Sequence, residues 1–117
     1  MSKLGGKNVL VVEDDYFIAM EMCRLFEKAG AQVLGPIGKL EDALALIARS
    51  DRIDGAVLDI NLRDVMVFPA ADMLRERDVP FVFATGYDDA VIPSRYSQVP
   101  RCRKPVEPGG VLTALFG

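Results

Sequence analysis

Val9-Leu10-Val11-Val12 followed at once by Glu13-Asp14-Asp15 sets four apolar side chains directly against three carboxylates. A short unbroken apolar run is the pattern of a strand buried on both faces. Such a strand needs helices above and below its sheet, which points to a parallel α/β architecture. The following residues supply the first helix, predicted over Tyr16 to Lys28. Its core face would be Ile18, Met22, Leu25, Phe26 and Ala29, and Gly30 would end it as a cap.

The same alternation runs on. Ala31 to Leu34 reads as a second strand stopped by Gly35-Pro36. Lys39 to Arg49 reads as a helix with Leu40, Ala43, Leu44 and Ile47 on one face. Gly55-Ala56-Val57-Leu58 is a third strand ending at Asp59, followed by a loop over Ile60 to Pro69 and a short helix over Ala70 to Arg77. Phe81-Val82-Phe83-Ala84 is a fourth strand ending at Thr85. Between Gly86 and Gln98 the spacing predicts a short or irregular fourth helix, because Pro93 lacks a donor and restricts Ile92. Val99 to Arg103 is a polar fifth strand, and Pro108 to Phe116 a closing helix. The first, third and fourth strands are the most apolar, and the second and fifth suit sheet edges. That arrangement is the flavodoxin-like order 2-1-3-4-5, with helices on both faces.

At 117 residues the chain fits one domain, expected over 8–117, with 1–7 a flexible N-terminal extension. No apolar run approaches the ~18 residues of a membrane span, so no membrane insertion is expected. A net charge of -3 argues against nucleic acid. Cys23 and Cys102 lack metal-ligand spacing and read as small buried or half-buried hydrophobes in a reducing cytoplasm. The chain has no histidine, which excludes Ser-His-Asp and Cys-His catalysis and His-ligated zinc. Chemistry must rest on carboxylates, lysine, hydroxyls, backbone and a hard cation.

Each of the informative residues closes a strand: Glu13-Asp14-Asp15 the first, Asp59 the third, Thr85 the fourth and Lys104-Pro105 the fifth. A parallel sheet gathers these carboxyl ends at one edge, where ligands bind in such folds. Glu13, Asp14 and Asp59 would then crowd three negative charges, repelling by about 4 kcal/mol per pair at 4 Å and an effective dielectric near 20. Lys104 and a divalent ion would balance them, and oxygen-only ligands favour Mg²⁺. A carboxylate can attack phosphorus to give an acyl phosphate, with cations neutralising the transferring oxygens.

With these residues in that order, the chain resembles response-regulator receiver domains over essentially its whole length. The resemblance implies that Asp59 is the phosphoacceptor, that Asp14 and Asp59 ligate Mg²⁺, and that Glu13 acts through water. It also implies that Asn61 lends the metal a backbone carbonyl. Thr85 would be the switch hydroxyl and Lys104 the phosphate-facing lysine, with a cis peptide before Pro105. The phosphodonor would be a histidine kinase or a histidine phosphotransfer protein. Such a protein catalyses its own aspartyl phosphorylation and dephosphorylation without being a conventional turnover enzyme. Pro80-Phe81-Val82-Phe83-Ala84-Thr85-Gly86-Tyr87 further resembles the FATGUY subfamily of single-domain receivers, often paired with kinases of the HWE or HisKA2 type. Arg101 stands where ordinary receivers carry an aromatic switch residue, and Tyr87 is expected to take part of that role. Phe17 and Met20, off the apolar face of the first helix, are expected to dock a partner. With no output domain after Gly117, the switch would act through surfaces, as a stand-alone regulator, a phosphate sink or a receiver from a hybrid kinase.

Other readings remain open on the residues alone. Glu13-Asp14-Asp15 also suits an acidic helix cap, and Phe17 and Met20 also suit scattered surface hydrophobes. On the same fold, a phosphorylation-independent docking module is the alternative function. A flavodoxin is disfavoured because three carboxylates stand where a phosphate cradle belongs. A haloacid-dehalogenase-type phosphatase would need an acid where Asn61 stands.

Overall fold

The computed structural model describes residues 5–86 and 92–116. The elements run β1 (Asn8–Val12), α1 (Tyr16–Lys28), β2 (Gln32–Ile37), α2 (Leu40–Arg49), β3 (Gly55–Asp59), β4 (Asn61–Leu62), β5 (Val65–Met66), α3 (Phe68–Glu76), β6 (Phe81–Thr85), β7 (Arg101–Arg103) and α4 (Pro108–Phe116). Five of the strands pair in parallel in the order β2-β1-β3-β6-β7, while β4 and β5 form a separate antiparallel hairpin. Counting only the central sheet, this is the expected 2-1-3-4-5 order of the flavodoxin-like fold.

Alternation along the strands divides the core in two. Leu10, Val12, Ala56, Leu58, Phe81 and Phe83 face α2 and α3, packing on Ala43, Ile47, Ala71 and Leu74. Val9, Val11, Val57, Val82 and Ala84 face α1 and α4, packing on Met22, Phe26, Val111 and Leu115. Burial on both faces explains why β1, β3 and β6 read as unbroken apolar runs. Gly55 matters to this packing, because a Cβ there would lie 2.8 Å from Leu115 Cδ1. Its bare backbone lets α4 settle directly on β3.

Several boundaries differ from expectation. β2 does not stop at Gly35-Pro36 but runs on to Ile37, with a shift of register against β1 between Leu10 and Val12. Proline is tolerated because β2 is an edge strand and needs no outward donor, while Gly35 adopts a φ of 108°. The extension has a consequence at the site: Ile37 O accepts a hydrogen bond from Glu13 N at 2.8 Å. The expected loop over 60–69 contains the β4–β5 hairpin, and α3 begins two residues early at Phe68. Pro69 fits its first turn, where a missing donor removes no helical bond. β7 is shorter than expected and starts at Arg101. The short or irregular helix expected between Gly86 and Gln98 lies partly outside the described residues, which hold a 3₁₀ turn at Ser94–Tyr96 between β6 and β7.

That turn is anchored by Tyr96, which is fully buried. Its ring stacks on Phe68 at a centroid distance of 5.6 Å and meets Phe83 edge-on, also at 5.6 Å. The α1 face is rotated from the expected one: Ala19, Met22, Cys23 and Phe26 are buried, while Ile18 and Leu25 are half-buried. The cysteines behave as read, Cys23 buried and Cys102 half-buried. Of the N-terminal segment, Met1–Leu4 lies outside the described residues, whereas Gly6 O accepts from Arg52 Nη2 at 2.9 Å. Among the described residues no helix is long and apolar enough to cross a membrane.

Candidate functional site

Register brings the strand ends together. Val12 pairs with Leu58, so Glu13 and Asp59 leave the sheet side by side. Asp59 pairs with Ala84 and Thr85 with Arg103, which sets Thr85 and Lys104 one step further along the same edge. Lys104 N donates to Thr85 O at 2.9 Å, and the Lys104–Pro105 peptide is cis, as the resemblance implies. Asp59, Asn61, Met66, Thr85, Gly86 and Lys104 line one open cleft of about 310 Å³.

The acidic triplet divides its labour. Asp15 caps α1: its Oδ1 accepts from Ile18 N at 3.1 Å. Glu13 and Asp14 instead join Asp59, and one carboxylate oxygen from each lies within 4.8 Å of the others. Lys104 Nζ sits 2.6 Å from Glu13 Oε1 and 3.3 Å from Asp59 Oδ1. Glu13 is almost wholly buried, its side chain 1% exposed. Its Oε2 accepts from Asp15 N at 3.0 Å, and its Oε1 is met by the Lys104 ammonium as an ion pair.

These surroundings perturb the charges. Burial pushes the Asp59 carboxyl up to about 7, helped by the Glu13 carboxylate and opposed by Lys104. Burial by itself would lower Lys104, but its contacts to Glu13 and Asp59 outweigh it and hold the ammonium above its usual value. Three carboxylates facing one ammonium leave an uncompensated negative charge. With one carboxylate oxygen from each of Glu13, Asp14 and Asp59 gathered at one point and no nitrogen or sulfur in that donor set, the residues fit a hard divalent cation.

Asn61 stands beside Asp59 in β4, with its side chain committed to the hairpin: Oδ1 accepts from Asp64 N at 2.7 Å. Tyr87 lies outside the described residues. Arg101 opens β7 and is exposed. Phe17 and Met20 are 82% and 45% exposed, and Tyr16 beside them is 69% exposed. Phe17, Ile18, Leu25, Pro105 and Val106 line a groove of about 420 Å³ that reaches Lys104.

Two residues carried almost no signal in the sequence. Arg63 Nε lies 3.9 Å from Asp14 Oδ2. Its only sequence signal is its place four residues after Asp59, in a turn without glycine. Tyr96 fixes the segment entering β7, and a lone aromatic after Pro93 was its only mark.

No family model matches the chain. Its sequence is 38% identical to SdrG from Sphingomonas melonis Fr1, whose solution structure superposes with a TM-score of 0.82 over 98% of this chain and 96% of that one. A solution structure of the PhyR response regulator REC domain from Erythrobacter litoralis is 26% identical, with a TM-score of 0.77, covering 95% of this chain and 88% of that one. The phyllosphere-induced regulator PhyR of Methylorubrum extorquens is 28% identical over 92% of this chain, which spans only 41% of that relative's length.

Proposed function

The chain belongs to the response-regulator receiver family, and from that premise we propose that Asp59 takes a phosphoryl group from a histidine kinase or histidine phosphotransfer protein in the cytoplasm. The observation that carries the reading is Lys104, held 3.3 Å from Asp59 and 2.6 Å from Glu13 at the mouth of an open cleft. A lysine so placed neutralises a phosphoryl oxygen as it arrives at Asp59.

In this reading an Asp59 oxygen attacks phosphorus, the bond from phosphorus to the donor imidazole breaks, and the imidazole nitrogen keeps the electron pair and takes a proton. Asp59 must be ionised to attack, so the positive charge of Lys104 both favours that form and meets the incoming anion. The Thr85 hydroxyl donates to a phosphoryl oxygen from the adjoining strand end. Water attacking the same phosphorus later returns Asp59 and free phosphate. Mg²⁺, when bound, supplies the electrostatic neutralisation that lets anion meet anion. Asp14, Asp59 and the Asn61 carbonyl would hold it directly, and Glu13 through water.

The segment Pro80 to Tyr87 resembles that of the FATGUY receivers, and in this reading the donor is of the HWE or HisKA2 type. Tyr87 replaces part of the switch role lost at Arg101. Phe17, Met20 and the groove leading to Lys104 form the docking face for the donor. SdrG has a BeF3-activated conformation, and the same mimic is expected to bind at Asp59 here.

Incubation with acetyl phosphate and Mg²⁺ tests the proposal by intact mass and peptide mapping. A single phosphoryl adduct on Asp59, absent in Asp59→Asn, is the expected result. Failure to label under conditions that label a control receiver would leave the phosphorylation-independent docking module as the better account.

A further inference from the structure

Lys104 contacts Glu13 and Asp59, so it leaves the third carboxylate of the cluster to another cation. Asp14 is that third group, its side chain 19% exposed, and Arg63 Nε lies 3.9 Å from its Oδ2. The arginine reaches it from the tip of the β4–β5 hairpin. Leu62 pairs with Val65, so Arg63 and Asp64 form a two-residue connection, with φ of 51° and 70°. Both central residues in the left-handed region define a mirror-type tight turn, where Asn-Gly is the favoured sequence. Neither position here carries glycine or asparagine. A bulky residue at positive φ is held against its own preference, a situation that gathers at functional sites. The Asn61 side chain braces the turn through Asp64 N at 2.7 Å.

We infer that Arg63 is the resident counter-charge of Asp14 and competes with the divalent cation for that carboxylate, lowering the site's metal affinity. The inference rests on the proposed metal site and concerns a positioning residue. Without the cation, the guanidinium limits repulsion among the three carboxylates. With it, like charges meet at Asp14 and the guanidinium is driven off into solvent, where its side chain is already 81% exposed. Affinity is thereby set by a residue that ligates nothing.

The test is titration of the full chain with MgCl₂, followed by calorimetry and amide chemical shifts, for wild type, Arg63→Gln and Arg63→Lys. Arg63→Gln is expected to bind Mg²⁺ about two- to fivefold more tightly, the size of an exposed ion pair. That advantage should shrink at about 0.5 M salt, where exposed charges are screened. Arg63→Lys keeps the charge and is expected to stay near wild type. Equal affinities for wild type and Arg63→Gln overturn the inference while leaving the metal site intact. So does equal tightening in Arg63→Gln and Arg63→Lys, because charge would then not be the cause. If wild type itself takes up no Mg²⁺, the reading of the site falls and this inference falls with it.

Discussion

Replacing Asp59 with asparagine should stabilise the metal-free protein, and the gain should depend on pH in a defined way. Asp59 is raised from 3.8 to about 7, chiefly by burial and by the Glu13 carboxylate. Below the unfolded value both states carry the proton, and the group contributes nothing to pH dependence. Between the two values the unfolded chain ionises first, so wild-type stability falls as pH rises. Above the folded value the full cost remains. Converted at about 1.4 kcal/mol per unit, the shift corresponds to roughly 4 kcal/mol. Water in the open cleft screens the group, and about half that, roughly 2 kcal/mol, is the working figure. Asparagine keeps the shape and removes the charge. Urea unfolding by far-UV circular dichroism, with chelator present, should show Asp59→Asn near wild type at about pH 4 and roughly 2 kcal/mol more stable at about pH 8. In thermal melts that gap is about 5–10 °C. Mg²⁺ should narrow it, because the cation stabilises the wild-type carboxylate cluster preferentially. A gap of equal size at both pH values, or none at the higher, would refute the electrostatic account of the pocket.

Other outcomes follow from single contacts. Arg77 on the far side donates to Ile47 O and, at 2.7 Å, to Ser50 O, so its guanidinium caps the C-terminal end of α2. Arg77→Ala should cost about 1–2 kcal/mol in urea unfolding and leave acetyl-phosphate labelling unchanged. Phe17 is 82% exposed, so Phe17→Ala should leave the melting temperature within about 1 °C. The same change should slow phosphotransfer from the donor protein at least about threefold while sparing transfer from acetyl phosphate, as removal of an apolar docking contact requires.

How far the sequence could be read depended on where each constraint originates. The central strands were legible because burial on both faces forces an unbroken apolar run, and a run that ends at Asp59 or Thr85 marks the sheet edge by itself. The pocket followed from topology, since parallel strands cannot avoid gathering their carboxyl ends. The continuation of β2 to Ile37 was hidden because Gly35-Pro36 is a stop signal only where a strand needs donors on both sides. An edge strand does not, and its position is a property of the whole sheet. The hairpin was hidden for a related reason. Arg63-Asp64 carries none of the glycine that ordinarily announces a two-residue turn, and only the pairing of Leu62 with Val65 compels it.

The concealed elements are therefore not a random remainder. The β2 extension fixes Glu13 through Ile37 O, and the hairpin delivers Arg63 to Asp14. Each adjusts the acidic pocket by placing backbone where local preference would not put it. Tyr96 extends the same logic on the other side of β6: two arginines lie over its ring, Arg75 and Arg95, each 4.7 Å from the centroid. Arg95 is tied in turn to Asp72 of α3. A residue with only a faint local signal thus joins the turn before β7 to α3, which begins directly after the hairpin. The acidic residues and the lysine of the pocket can be read from strand ends, because their charged type stands out beside apolar runs. The parts that set its charge and shape are chosen by tertiary contact, which is why they emerge only from the folded chain.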